Sequence, residues 1–448
     1  MDDTLFPLPP AEETEPAPGK GKPRLKRVNR EQMIMQTLNL ESTLPSDHPA
    51  RLVWDLVEGL DLSPLYAEIQ AVKGHAGQSA IDPAILMALW LFATLQGIGS
   101  ARLLDNLCRE HDAYRWLCGG VSVNYHTLSD FRVEHGAFLE ELLTKSVAAL
   151  ICDGLVGMQR VTQDGKRVRA SAGSNSFHRR KTLEECLQEA RQQVDTLRKE
   201  LEDDPGATTR RQKAARERAS RERLERVEKA RQRMEQLEAK QAKRNKKGNQ
   251  TQRRREPRAS TTDAEATIMK MADGGFRPAY NVQFSTDTAS KLIVGVEVPI
   301  QGNDSGLMGT MRQQIEQNYG QAPEEYLIDG GFVNLQDIEE AEKHQTHVYA
   351  PVPTPRREGQ DPYAPRPSDS PEIAAWRQRM ATDAAKAIYK DRATIAEWIN
   401  AIQHNRGLVA FRVRGREKVK AVVLWFALLH NLLRGCVLRQ SAVAALTK

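Results

Sequence analysis

Cysteine is scarce in this chain and badly spaced for structural use. The five present (Cys108, Cys118, Cys152, Cys186 and Cys436) are odd in number and far apart, and no C-x-x-C pair occurs. That excludes a zinc-finger ligand set and a closed disulfide framework. Long apolar runs are missing as well. The two most apolar stretches are Ala84–Ala93 and Ala421–Leu429, both short of the roughly 20 residues that a bilayer span needs. The N-terminus, Met-Asp-Asp-Thr-Leu-Phe-Pro, has neither the basic nor the apolar segment of a secretory signal. No G-x-x-x-x-G-K-[ST] loop is present, so nucleotide hydrolysis finds no support. His344 and His347 have H-x-x-H spacing but run into a strand-like stretch, where the two rings need not converge, so a metal site is not expected there. The expectation is a soluble, reduced, cytoplasmic protein.

What the chain has instead is charge, unevenly placed. Its net charge is only +6, yet residues 179–258 hold 26 Lys or Arg against 15 Asp or Glu. The remainder is therefore acidic overall. One segment carries the attraction for a polyanion while the rest supplies acidic ligands. With 448 residues and 40 % hydrophobic content, two or three domains around a moderate core are expected.

Residues 1–45 are rich in Pro, Glu, Lys and Arg and read as a disordered basic arm, including Lys20-Gly-Lys-Pro-Arg-Leu-Lys-Arg27. Residues 46–150 read as a helical domain. Asp82-Pro83 caps a helix with Ile85, Leu86, Leu89, Trp90 and Ala93 at helical spacing, and Ser100 caps the next. After Gly119-Gly120, Thr127 and Asp130 have the spacing of a capping box. Two short helices around a glycine turn allow a helix-turn-helix with Asn124, His126, Ser129 and Arg132 as DNA readers, or an ordinary packed bundle.

From Gln159 the pattern turns strand-like and continues to Ala170. Residues 177–258 then interrupt it with heptad-like spacing at Leu187, Val194, Leu197 and Leu201, a break at Asp203-Asp-Pro-Gly206, and a second apolar series at Leu224, Val227, Met234 and Leu237. That is a coiled-coil-like helical hairpin inserted into a sheet domain. Most of its charges form a solvated surface, but Lys243–Lys247 and Arg253–Arg255 have few acidic neighbours, so Lys246, Lys247 and Arg254 are candidate phosphate contacts. Strands resume around Thr267, Ala279 and Leu292. Strand–helix alternation follows through Tyr326 and Val348, and the last third is helical, with Trp425, Phe426 and His430 as core. The fold class is a mixed α/β domain spanning 151–448, preceded by an all-α domain.

Two aspartates close apolar stretches: Asp164, followed by Gly165, and Asp329, followed by Gly330. Glu397 lies on a later helical segment that also carries Tyr389, Asp391, Arg392 and His404. A sheet and one helix can bring three such carboxylates together, which is what two hard cations need to hold a phosphate. On an unbroken helix Arg392 points about 140° away from Glu397 and Tyr389 about 80° away, so both suit DNA or a neighbouring helix better than a metal. Asp391 is the fallback third carboxylate.

These residues resemble a known family. The mixed sheet, the two strand-end aspartates and the helical glutamate are similar to the RNase H-like domain of DDE transposases, specifically insertion-sequence transposases with an N-terminal helical domain. The resemblance rests on Tyr114-Arg-Trp-Leu-Cys-Gly-Gly120 through Phe131, Gln163-Asp164-Gly with Arg169-Ala-Ser171, Gly274-Gly-Phe-Arg-Pro-Ala-Tyr-Asn-Val-Gln283, Asp329-Gly-Gly-Phe332 and the segment from Tyr389 to Gly407. It implies that Asp164, Asp329 and Glu397 are the catalytic carboxylates and hold Mg²⁺ or Mn²⁺, two ions. It implies double-stranded DNA as partner, in the form of transposon ends and target, and a homodimer or larger synaptic assembly. Tyr389, Arg392 and His404 become DNA contacts. The widespread signature has three residues between Arg and Glu and a Lys seven after the Glu; here four intervene and His404 replaces the Lys. A nuclease of the same fold and a non-catalytic DNA-binding protein are the competing readings, and the hairpin serves either dimerisation or DNA clamping.

Overall fold

The structure, a computed structural model, describes residues 30, 31, 33, 39–71, 79–203, 209–247, 256–355 and 359–446. The basic arm expected over 1–45 therefore lies mostly outside the described residues, as does Arg254.

Among the described residues, a 3-10 turn at Leu40–Thr43 is followed by seven α-helices: α1 (Pro49–Glu58), α2 (Ser63–Ala67), α3 (Pro83–Leu95), α4 (Ala101–Glu110), α5 (Asp112–Cys118), α6 (Tyr125–Glu134) and α7 (Gly136–Cys152). The Asp82 carboxylate accepts from Ala84 N at 2.8 Å, and Ser100 Oγ from Leu103 N at 3.4 Å, so both expected caps form. Helix α3 buries side chains all round, from Ile85 through Thr94, as a helix apolar on every face must. Helix α6 corrects the capping-box expectation. Asn124, in extended conformation, accepts from both His126 N and Thr127 N at 3.0 Å, which leaves Thr127 inside the helix instead of at its cap.

Strand β1 (Arg160–Arg169) begins the sheet, and β2 (Phe177–His178) leads out of it into α8 (Arg180–Asp203) and α9 (Arg210–Lys247). The hairpin closes where β3 (Ala259–Ser260) pairs antiparallel with β2, so the insertion leaves and returns at one point. The chain continues through β4 (Thr267–Lys270), β5 (Phe276–Asp287), β6 (Ile293–Glu297), α10 (Met308–Tyr319), β7 (Glu325–Leu327), α11 (Leu335–Lys343) and β8 (His347–Tyr349). Helices α12 (Pro371–Ala381), α13 (Asp383–Asn405) and α14 (Arg416–Leu446) complete it.

The main sheet has the order β4-β5-β1-β7-β8, with β6 also on β5. Pairing is antiparallel from β4 through β1 and parallel from β1 through β8. This is the mixed α/β, RNase H-like sheet that the sequence predicts. Its centre is β1, which binds β5 on one side and β7 on the other.

Helix α14 joins the halves. Trp425, Phe426 and His430 are buried, as their spacing predicts. The Trp425 indole donates to the Arg132 carbonyl, and the Trp90 indole donates to the Leu128 carbonyl, both at 2.9 Å. One turn past Trp425's neighbours, the Asn431 amide satisfies both backbone groups of Ile293, donating at 2.8 Å and accepting at 2.9 Å. One continuous core thus includes α3, α6, β5 and α14. By length and composition α14 is apolar enough to cross a membrane, a longer stretch than Ala421–Leu429 alone suggests. Two thirds of its apolar window is buried against the rest of the chain, which marks it as a core helix.

Candidate active site

The sheet brings the two predicted aspartates together at its centre. Asp164 lies within β1, opposite Phe284 of β5, and Asp329 follows the adjacent parallel strand β7 by two residues. Helix α13 packs across β1, and Asn400 Nδ2 donates to Asp164 Oδ2 at 2.6 Å. Lys166 Nζ, two residues along β1, donates to the Asn400 carbonyl at 2.9 Å, so the helix is fixed to the strand from both ends of one residue.

Burial pushes the Asp164 carboxyl up to about 6, and the negative charge of Asp329 adds to the rise. Arg392, the Gly165 backbone N–H and Asn400 work against it. Burial also raises the Tyr389 hydroxyl, with further contributions from Asp329 and Asp164. Tyr389 and Arg392 therefore share the field of the two aspartates, closer than their helical angles relative to Glu397 suggest. One Arg392 nitrogen, Nη1, is buried and has no hydrogen-bond partner.

Glu397 stands apart. It is exposed on α13, one turn before Asn400, and the position facing Asp164 is occupied by the amide of Asn400. Among the described residues, no three His, Cys, Asp or Glu side chains are grouped closely enough to hold a metal ion. Asp391 is engaged elsewhere: Arg160 bridges it and Glu325, each at 2.5 Å. His404 is exposed near the end of α13.

A further aspartate, Asp304, lies beside the pair. A Cβ on Gly165 would lie 2.8 Å from Asp304 Oδ1, and one on Gly331 would lie 3.0 Å from Asp329 Oδ1 and 3.9 Å from Asp304 Oδ2. Asp304 Oδ1 accepts from Asn281 Nδ2 at 2.6 Å and Gln283 Nε2 at 2.9 Å. Gln283 is bonded in turn to Gln163, and Gln163 to the Tyr326 hydroxyl, all buried. Alternation was the available signal: Asn281, Gln283 and Ser285 put three polar side chains on one face of a strand that is otherwise buried.

The other predicted contacts divide. Asn124, His126 and Ser129 lie exposed on α6. Arg132 corrects the base-reading expectation, because it turns inward. Only 8 % exposed, it donates to the Gly99 carbonyl at 2.7 Å and covers the Trp90 ring at 4.5 Å. Lys246 and Lys247 end α9, and their side chains lie outside the described residues.

Two family models match this chain. One, described as "Transposase domain (DUF772)", covers residues 38–134, and the other, described as "Transposase DDE domain", covers residues 250–432. The chain belongs to the DDE transposases. The second match takes in Asp329 and all of α13, while β1 with Asp164 lies before it. No curated protein and no solved structure matches the chain. As a DDE transposase the protein acts on DNA, and the family generally uses a divalent metal.

Proposed function

We propose that this transposase cuts DNA at the ends of its mobile element and joins the freed 3′-hydroxyls to target DNA. The observation that carries the reading is the pairing of Asp164 and Asp329 on neighbouring parallel strands, with the Asp164 carboxyl raised by burial and by its acidic neighbour. Two like charges held together in a half-buried site, with Arg392 as the nearby cation, suit a divalent cation. Asp164 and Asp329 would hold Mg²⁺ or Mn²⁺, two ions in all, and Glu397, which stands apart from them in this structure, would have to swing in from α13 to serve as the third carboxylate. When bound, such ions lower the pKa of an attacking hydroxyl and stabilise a leaving oxygen.

The chain's own groups supply the rest. Asn400 orients Asp164 through its amide and keeps that carboxyl towards its ionised form. Arg392 offers a buried N–H to a phosphate oxygen, and Tyr389 lies beside the same aspartates. Joining exchanges one phosphodiester for another, so no nucleotide is required. Two ends must be held at once, which calls for a dimer or larger assembly. His404, Lys246, Lys247 and Arg254 remain DNA contacts in this reading, and the α8–α9 hairpin serves either to dimerise or to clamp.

The test is incubation of labelled element-end DNA with wild type, Asp164→Asn, Asp329→Asn and Glu397→Gln in Mg²⁺, Mn²⁺ or EDTA. Cleaved and joined products that need the metal and vanish in all three variants are expected. Cleavage without joined products would reduce the protein to a nuclease. Activity surviving Glu397→Gln would remove Glu397 from the site.

A further inference from the structure

Three arginines converge where the N-terminal helices meet the C-terminal ones. A small pocket there is walled by the α3–α4 turn at Gly97, Ile98 and Gly99, by Arg132 of α6, and by residues between Arg406 and Arg412, which link α13 to α14. Arg132 Nη2 lies 3.8 Å and Arg412 Nε 3.9 Å from the point where a Gly99 Cβ would stand, so the two guanidiniums flank one spot. Arg132 Nε and Arg406 Nη1 are both buried with no hydrogen-bond partner. Burial pushes the Arg132 guanidinium down to about 10, and Arg412 pushes it further in the same direction. Burial alone lowers Arg406.

No carboxylate answers them. Among the described residues none forms an ion pair with Arg132, Arg406 or Arg412; Arg132 is buried, Arg406 half-buried and Arg412 exposed, whereas two fully buried arginines elsewhere are paired. Arg377 holds Asp369 at 2.7 Å, and Arg312 holds Glu316 at 3.1 Å. A buried cation such as Arg132, held by the Gly99 carbonyl and the Trp90 ring without a counter-charge, is costly, and with two further guanidiniums lining the same pocket the cluster attracts an anion from outside. Guanidinium forks match phosphate oxygens in particular.

We propose that Arg132, Arg406 and Arg412 form a phosphate-binding site distinct from the aspartate pair. Its place favours a phosphate of the DNA backbone. Backbone hydrogen bonds join Arg169, at the end of β1, to Val409 and Phe411 beside the pocket. Arg169 is five residues beyond Asp164, about 16 Å along a strand, or roughly five nucleotides at 3.4 Å per step. A strand entering the active site would thus have a second anchor several nucleotides from the reacting bond. Naming DNA as the source rests on the function proposed above, but the phosphate site itself does not.

The experiment uses the full chain and compares wild type with Arg412→Ala and Arg406→Gln, since Arg132 also supports Trp90 and Gly99. Thermal unfolding is followed with inorganic phosphate against sodium chloride of equal ionic strength. Affinity for an element-end duplex is measured in EDTA over a range of salt. A phosphate-specific rise in Tm that both variants lose is expected. About a tenfold loss of duplex affinity should accompany it, with the slope of log K against log salt reduced by about one. Loss of the phosphate response with duplex affinity intact would keep the site and assign it to a free phosphate. Absence of a phosphate-specific response in wild type would overturn the site, whether or not duplex affinity falls in the variants. If wild type fails to bind the duplex, the DNA reading fails, and the phosphate titration still decides the site.

Discussion

Asn400 reaches Asp164 across 236 residues of sequence, and its amide hydrogen bond favours the ionised carboxylate over the protonated one. Without it, the Asp164 carboxyl should rise further and become a weaker ligand at neutral pH. Asn400→Ala should therefore raise the Mg²⁺ concentration for half-maximal cleavage about tenfold, as expected for a group that supports a metal ligand. Saturating Mg²⁺ should recover most of the rate. A rate that stays low at every Mg²⁺ concentration would count against this positioning role. His430 poses a separate question of pH. Burial holds its imidazole down at about 4, with Nε2 bonded to the Lys291 carbonyl at 2.8 Å. Its folded pKa is below the unfolded value of 6.5, so the unfolded chain takes up the proton first. The neutral ring's contribution is complete above pH 6.5 and is lost as pH falls towards 4, about 3 kcal/mol in all at 1.4 kcal/mol per unit. His430→Gln should flatten the acid-side decline in denaturant midpoint, and an unchanged slope would refute it. Of these residues, Asp164 and Asp329 were legible because each ends or interrupts an apolar strand and precedes glycine. Asn400 and Asp304 were not, because an amide on a helix and an aspartate after a turn gain meaning only from partners distant in sequence.

Strand β1 is built to let another residue approach its backbone. A Cβ on Gly165 would fall 2.6 Å from Gln283 Nε2 and 2.8 Å from Asp304 Oδ1, closer than real Cβ atoms come. Gly165→Ala should destabilise the protein by about 1–3 kcal/mol, the usual cost of overpacking. It should also displace Asp304 from beside Asp164, lowering cleavage more than the loss of fold accounts for. Cleavage per folded molecule, measured beside the unfolding midpoint, tests this; equal specific activity would sink it. Helix α6 offers a milder case. Asn124 caps two backbone N–H groups from an exposed position, so Asn124→Ala should cost about 1 kcal/mol, read as a shift in denaturant midpoint. Elements such as α3, α11 and the inserted hairpin were readable because their apolar periods agree with their caps and breaks. The hairpin's closure by β2 and β3 was not, since two-residue strands carry no period. Nor was Arg132's direction, because α6 follows a glycine turn in either a DNA-reading unit or a packed one. The buried indoles of Trp90 and Trp425, both bonded to α6 carbonyls, decide for packing on that face.

At the scale of the whole molecule, the sequence suggests a helical unit followed by a sheet unit, and α14 ties them together. Its side chains share one core with α3 and α6 on one side and β5 on the other, while Asn431 closes the backbone of β6 at Ile293. The pocket of arginines lies on the same seam, where a Cβ on Gly407 would stand 3.0 Å from the Gly97 carbonyl oxygen. Gly407 has φ +88°, which disfavours any other residue, so the turn after α13 and the turn after α3 are matched to touch. The two regions should therefore fold as one cooperative unit. A fragment starting at residue 154 would expose the faces of Trp425, Phe426 and Leu429 that α3, α6 and α7 cover. At about 25 cal/mol per Å² of apolar surface, uncovering several such side chains costs several kcal/mol, comparable to the 5–15 kcal/mol that holds an ordinary domain together. The fragment should therefore aggregate or lack a cooperative unfolding transition, while the full chain shows a single one. Size-exclusion chromatography and calorimetry of the two would check this. A monomeric fragment with its own sharp transition would mean that the catalytic sheet stands without its N-terminal helices, and that the shared core is an interface between two independent domains.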